Sequence, residues 1–205
     1  MKLQNNLHHY FISSEHDEKD FFTFDHEQFG EKFMFTSCDD VFSKNQIDYG
    51  SQVLINTIVK ESDKYQGHIL DICCGYGTIG IILSRLLNLP FDMCDINSLA
   101  VKLANINVKN NKCMVENVFE SNMWENVSRK YSHIVSNPPI KVGKKVLLDF
   151  LNGIDGHLES GGSVTIVIKK NLGADSTKKY LTEIFGDCQV LNRDKGYYIL
   201  RSKKL

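Results

Sequence analysis

Residues 68–80, "HILDICCGYGTIG", decide how the rest of the chain is read. "HILDICC" is an apolar run of strand length, the pattern of a strand covered on both faces in a parallel sheet. Gly75, Gly77 and Gly80 follow in GxGxxG spacing, and Ile79, Ile82, Leu83, Leu86 and Leu87 then recur at the i, i+3, i+4, i+7, i+8 interval of an amphipathic helix. Strand, glycine turn and helix in that order make the opening of a βαβ unit. Such glycines permit a tight turn and let a ligand lie against bare backbone beside the helix N-terminus.

Outward from this unit the alternation continues. "FDMCDI" reads as a second strand, and Asn97 caps a helix carrying Leu99, Leu103 and Ile106. "KCMVENV" and "YSHIVS" give a third and a fourth strand. Val146, Leu147, Phe150, Leu151 and Ile154 mark the next helix, "SVTIVIK" the fifth strand, and residues 175–185 a further helix. "DCQVLN" and "GYYILRS", joined by "RDKG", form a closing hairpin. The pattern predicts an α/β fold, a mostly parallel Rossmann-like sheet with a C-terminal antiparallel hairpin. Residues 48–205 form this domain, its first helix capped by Asp48. Residues 1–47, with "FFTF" and "EKFMFTS", form a small β-rich N-terminal extension of two or three strands.

Bulk composition narrows the classes. The 205 residues are 42% hydrophobic and 24% charged, ordinary for a folded soluble chain. A net charge of -1 gives no global attraction to a polyanion, so any nucleic-acid surface must be a local patch. Apolar runs stop well short of about 18 residues, and the N-terminus has no apolar signal core, so no membrane partner and a cytoplasmic location are expected. Six cysteines without paired CxxC spacing read as reduced thiols, and the seven histidines show no metal spacing, so no metal is expected.

In an open sheet, ligands bind beyond the carboxyl ends of the strands. Asp95 ends the second strand about 20 residues after the glycine turn, where a carboxylate can accept from both hydroxyls of a ribose. The pattern alone leaves two ligands open, a dinucleotide such as NAD and S-adenosylmethionine. Asp71, at the front of the turn, suits a cationic ligand better than a pyrophosphate; its other role would be to cap the loop.

The chain has three prolines, and two of them, Pro138 and Pro139, follow Asn137 at the end of "YSHIVS". The Asn137 amide oxygen and the Pro138 carbonyl are acceptors held in fixed geometry by the prolines. They match a planar exocyclic amine with two N–H groups. Hydrogen bonds from that amine favour pyramidal nitrogen and spread the charge that develops as it accepts a methyl group, and placement supplies much of the acceleration.

These residues resemble class I S-adenosylmethionine-dependent methyltransferases with an Asn-Pro-Pro motif. The resemblance is strongest to the 16S ribosomal RNA guanine-N2 methyltransferase family in its short single-domain form. It is carried by "FTSCDDVFSKNQIDYGSQVL", "LDICCGYGTIG", "SNPPIKVGKK", "IKKNLGADS" and "DKGYYILRSKK". The resemblance implies S-adenosylmethionine as cofactor and ribosomal RNA or the 30S subunit as partner, with a monomer expected and a dimer open. By the same resemblance Asp71, Gly75 and Gly77 hold the methionine end and Asp95 the ribose. Asn122 sits by the adenine, and Cys73, Gly80 and Ile96 complete the cofactor set. Asn137 with Pro138 grips the guanine amine. Phe42, Ser43 and Gly50 lie near the mouth, and Ile140, Lys141 and Lys144 face the substrate. Ser132 and the Cys73–Cys74 pair depart from the usual family residues. Lys141, Lys144, Lys145, Lys169 and Lys170 could form a phosphate-binding rim. Methylation of adenine or of a protein glutamine amide, a nicotinamide-dependent oxidoreductase, and a silent RNA-binding relative are the alternatives.

Overall fold

The computed structural model describes residues 21–39, 41, 46–140 and 143–205. Among the described residues, fourteen helices and strands, leaving short 3-10 turns aside, run in order as β1 (Phe22–Gln28), β2 (Glu31–Ser37), α1 (Tyr49–Val59), β3 (Ile69–Ile72), α2 (Thr78–Leu87), β4 (Phe91–Asp95), α3 (Ser98–Asn111), β5 (Val115–Glu120), β6 (Tyr131–Ser136), α4 (Lys144–His157), β7 (Leu158–Lys169), α5 (Ala174–Phe185), β8 (Gln189–Asp194) and β9 (Tyr197–Lys203). β1 and β2 pair as an antiparallel hairpin, and the other seven strands form one sheet ordered β5-β4-β3-β6-β7-β9-β8. Pairing is parallel from β5 through β7. β9 runs antiparallel to both β7 and β8, so the last strand inserts one place in from the edge. The turn before it is tight because Lys195 and Gly196 both take left-handed φ angles, 43° and 81°.

All four residues of β3 are buried, as its apolar pattern requires of a central strand. One face of the sheet is covered by α1, α2 and α3. Ile55, Ile58, Ile81, Ile82 and Leu103 lie fully buried there, each contributing roughly 1.5–3 kcal/mol of hydrophobic stabilisation. Phe150, Leu151 and Ile154 of α4 and Leu181 of α5 fill the other face. The N-terminal hairpin joins the first of these cores through Phe33 and Phe35.

The free edge of β2, which faces α3, is completed by side chains in place of a neighbouring strand. Asn107 accepts from Thr36 N at 2.6 Å and donates to Thr36 O at 3.0 Å. One turn on, Asn111 accepts from Met34 N at 2.9 Å and donates to Met34 O at 2.8 Å. Two amides four residues apart on α3 thus imitate a β partner and close an edge that would otherwise be open.

Strand order reverses between β3 and β6, the switch point of an open α/β sheet. The two strand ends are tied there by Ser136 Oγ, which donates to Ile72 O at 2.6 Å. The cleft opens above this bond.

Candidate active site

The cleft wall collects residues from the carboxyl ends of five strands: Cys73 to Tyr76 after β3, Asp95 and Ile96 at β4, Ser121 to Met123 after β5, Asn137 to Ile140 after β6, and Lys169 at the end of β7. Asp48, Ser51, Val146, Asp149 and Tyr197 close its sides.

The glycine turn is locked to β4. Gly75 N donates to Asp95 Oδ2 at 2.8 Å and Asn97 N to Asp95 Oδ1 at 2.9 Å. Burial pushes the Asp95 carboxyl up, and the backbone N–H groups of Asn97, Gly75 and Ile96 pull it back. Each carboxylate oxygen keeps lone pairs for further donors. Gly75 has a left-handed φ of 57°, and a Cβ built on it would meet nothing within 4 Å. Bare backbone beside open space is what a ligand lying on this turn needs. Cys73 also adopts a left-handed φ, 62°, although it carries a Cβ. Its thiol is held protonated by burial.

Three residues assigned to the cofactor take other places. Asp71 is fully buried beneath the turn, where its Oδ2 accepts from Gly80 N at 2.8 Å. Gly80 lies inside α2 pressed on Met93, whose Sδ would stand 2.4 Å from an added Cβ. Gly77 caps α2 with Ile81 and Met93 against it. None of the three is on the cleft wall. The Asp71 Oδ1 atom is buried with no hydrogen-bond partner, and burial pushes the carboxyl up to about 8.

At the Asn-Pro-Pro corner, Asn137 Nδ2 donates to Asp48 Oδ1 and Oδ2 at 3.2 and 3.3 Å and to Ser51 Oγ at 3.1 Å. A carboxylate can only accept, so Asp48 fixes which end of the amide is nitrogen and leaves Asn137 Oδ1 as the available acceptor. Asp48 also caps α1 through Ser51 N, so a single side chain both starts a helix and orients the corner. The Pro138 carbonyl is partly used, accepting from Ile140 N at 2.8 Å, which leaves one lone pair for an incoming donor. Asn122 donates Nδ2 to Glu125 Oε1 at 2.9 Å, so its carbonyl oxygen is the free end.

Ile140 lines the cleft, whereas Lys144 opens α4 as an exposed residue off its wall. Phe42, Ser43 and Lys141 lie outside the described residues. Trp124 packs on Phe150 and His157 and donates to Phe150 O. Asp48, Ser51 and Tyr197 lie in stretches that carry the resemblance, but the sequence reading singles out neither them nor Asp149 as site residues. The signal for Asp48 was its cap position, which does not reveal a partner 89 residues away.

Among the described residues, one cluster has metal-ligand chemistry, His68, Asp92 and Glu116. It sits at the amino ends of β3, β4 and β5, the edge opposite the cleft. His68 Nε2 lies 3.3 Å from Asp92 while Nδ1 lies 3.7 Å from Glu116, and Arg129 Nη1 stands 3.5 and 3.9 Å from the same two carboxylates. No described helix is long and apolar enough to cross a membrane.

Solved structures place this architecture. The T. thermophilus 16S rRNA N2 G1207 methyltransferase, solved with AdoMet and guanosine, superimposes with a TM-score of 0.82 at 23% identity, covering 90% of this chain and 51% of that one. A ribosomal protein L11 methylase from Lactobacillus delbrueckii gives 0.66 at 20% identity over 80% and 82%. Fold and cleft therefore define the class, a Rossmann-like methyltransferase. More narrowly, residues 32–201 match the methyltransferase small domain, and the chain belongs to that family. It is 39% identical over 176 residues to the Bacillus subtilis protein YbxB, covering 84% of this chain and 87% of that one. Ribosomal RNA small subunit methyltransferase C of Escherichia coli O9:H4 is 30% identical over 167 residues, which is 79% of this chain and 47% of that protein. The chain thus spans about half the length of such methyltransferase C relatives.

Proposed function

We propose that this chain methylates an exocyclic amine, the 2-amino group of a guanine in 16S ribosomal RNA, as a ribosomal RNA or a 30S subunit. The observation that carries the amine chemistry is Asn137, its amide nitrogen anchored on Asp48 and Ser51 and its oxygen left to accept beside Pro138. The acceptor class rests on the relatives named ribosomal RNA small subunit methyltransferase C.

S-adenosylmethionine supplies the methyl group and, through its sulfonium, the leaving group. Gly75, Asp95, Ile96, Cys73 and Asn122 line the part of the cleft that would hold it. Open space above Gly75 and the spare lone pairs of Asp95 fit a nucleoside there. With that group bound, positive charge would grow on the amine nitrogen as it accepts the methyl. Asn137 Oδ1 and the Pro138 carbonyl meet that charge with fixed dipoles, and the nitrogen then loses a proton to water. Ile140, Pro139 and Val146 give the neighbouring cleft wall an apolar lining.

The test is nucleoside mass spectrometry of 16S ribosomal RNA from cells with and without the gene, then remethylation by the purified protein. Loss and recovery of N2-methylguanosine is expected. A change confined to methyladenosine, or to methylglutamine in peptides, would move the acceptor. No change with the cofactor shown to bind would refute the proposal.

A further inference from the structure

Beside the cleft, the first residue of α1 and the first residue of β9 build an aromatic ledge that the chemistry above does not use. Tyr49 and Tyr197 have ring centroids 5.9 Å apart, inclined at 52°. Both are half-buried, so part of each ring remains accessible. Tyr49 is oriented by its hydroxyl, which donates to Asp194 Oδ2 at 2.7 Å. Tyr197 can lie against the helix only because residue 50 is glycine, since a Cβ there would stand 2.9 Å from its ring.

Cations interleave with these rings. The Lys195 ammonium sits 4.6 Å from the Tyr49 centroid and that of Lys169 sits 5.4 Å from the Tyr197 centroid. Lys170 N donates to Gly196 O at 2.7 Å, which ties the end of β7 to the hairpin turn and fixes the two lysines' backbones together. Lys169 and Tyr197 also belong to the cleft wall, so the ledge continues out of the same opening that holds Asn137. In a chain of net charge -1, this is the local basic and aromatic patch that a polyanion would require.

We propose that the ledge seats the nucleotide flanking the target guanine in single-stranded RNA, its base stacked on Tyr197 and its phosphate neutralised by Lys169 and Lys195. Rings with adjacent cations hold successive nucleotides without reading sequence. Two carboxylates border the ledge and both are engaged: Asp194 accepts from the Tyr49 hydroxyl and Asp48 from the Asn137 amide. The inference rests on the RNA reading of the same site.

Two measurements test it. Binding of an unmodified small-subunit ribosomal RNA transcript is followed against salt, with S-adenosylmethionine present. Lys195→Ala should weaken binding several-fold and lower the slope of log affinity against log salt by about 0.7, one phosphate contact on a single strand. Cofactor affinity should stay the same by calorimetry. Next, a single-stranded RNA oligonucleotide carries 2-aminopurine beside its one guanine. Wild type should quench its fluorescence, Tyr197→Leu should lose the quenching and on the order of tenfold in affinity, and Tyr197→Phe should keep both. Unchanged affinity and slope in Lys195→Ala, together with unchanged quenching in Tyr197→Leu, would overturn the ledge. If Tyr197→Leu does not fold, the exposed Lys195→Ala variant decides by its slope alone. Wild type that binds the cofactor but no RNA would sink the RNA reading, whereas wild type that binds RNA with insensitive variants sinks only the ledge.

Discussion

Asn137 is held by Asp48 across 89 residues of sequence, its amide nitrogen 3.2 and 3.3 Å from the two carboxylate oxygens. The carboxylate gives the amide a single orientation, because the reversed amide would set oxygen against oxygen. Asp48→Asn separates this duty from helix capping, since asparagine caps as well as aspartate. The variant should melt within a few degrees of wild type and bind S-adenosylmethionine unchanged. Its kcat should fall about 10- to 100-fold, the worth of one charge-assisted hydrogen bond. An unchanged kcat would remove Asp48 as the positioning residue.

Asp71 leads to a different split between stability and binding. Its carboxyl is raised to about 8 by burial, with the charge of Asp95 adding to the rise and the Gly80 N–H opposing it. A carboxyl raised on folding takes up a proton as the chain folds. Its favourable share is present below the unfolded value of about 4 and is lost as pH climbs towards about 8. Asp71→Asn keeps an acceptor for Gly80 N and removes the titration. The variant should therefore gain on wild type steadily between pH 5 and pH 8.5, as judged by urea midpoints. If the carboxylate answers the cationic end of the cofactor, calorimetry will show about tenfold weaker binding in the same variant. Equal urea midpoints at both pH values would mean that Asp71 does not titrate in this window.

These two acids show where sequence reading succeeded and where it stopped. Strand β6 and its Asn-Pro-Pro corner, the Asp48 and Asn97 caps, and the strand-turn-helix unit were legible because each is written in neighbouring residues as period, cap or turn. Gly80 was read as a ligand-side glycine, but its spacing serves packing: Met93 leaves no room for a Cβ. Spacing cannot distinguish a glycine under a ligand from one under a side chain. Asp71 was read either on the ligand or as a cap for the loop, and the depth of β3 shows the second, with Gly80 N held from below. The insertion of β9 between β7 and β8 depends on pairing partners that the hairpin signal does not name.

The Asn107 and Asn111 ladder belongs with the illegible features, since asparagine in a helix carries no apolar signal. Asn107 is fully buried, and besides Thr36 it donates to Tyr76 O at 2.9 Å, so it joins the N-terminal hairpin to the glycine turn. Asn107→Leu would orphan buried backbone groups at about 1–3 kcal/mol each. A loss of about 2–4 kcal/mol in unfolding free energy is expected. Hydrogen exchange should quicken at Thr36, and cofactor affinity should fall as the Tyr76 carbonyl is released. Slow exchange at Thr36 in a folded variant would contradict the ladder.

His133 gives the chain a second pH response, at the edge away from the cleft. Its Nε2 accepts from Gln66 N at 3.3 Å, so Nδ1 carries the proton and donates to Ser163 Oγ at 2.8 Å. The ring lies 4.7 Å from that of Tyr65. Burial, and then the nearby Arg201 guanidinium, push its pKa from 6.5 down to about 4. A depressed histidine is neutral in the folded chain while the unfolded chain takes up a proton. Its contribution is therefore complete above about pH 6.5 and is lost as pH falls to about 4. At about 1.4 kcal/mol per pH unit across that gap, the loss approaches about 3 kcal/mol. His133→Gln offers an amide without titrating, and the carboxylates that also respond to acid are common to both proteins. Urea unfolding between pH 7.5 and 4.5 should show wild type losing stability faster than His133→Gln as pH falls. Parallel curves would mean that His133 is protonated in the folded chain as readily as in the unfolded one, and that the Gln66 and Ser163 bonds do not hold it neutral.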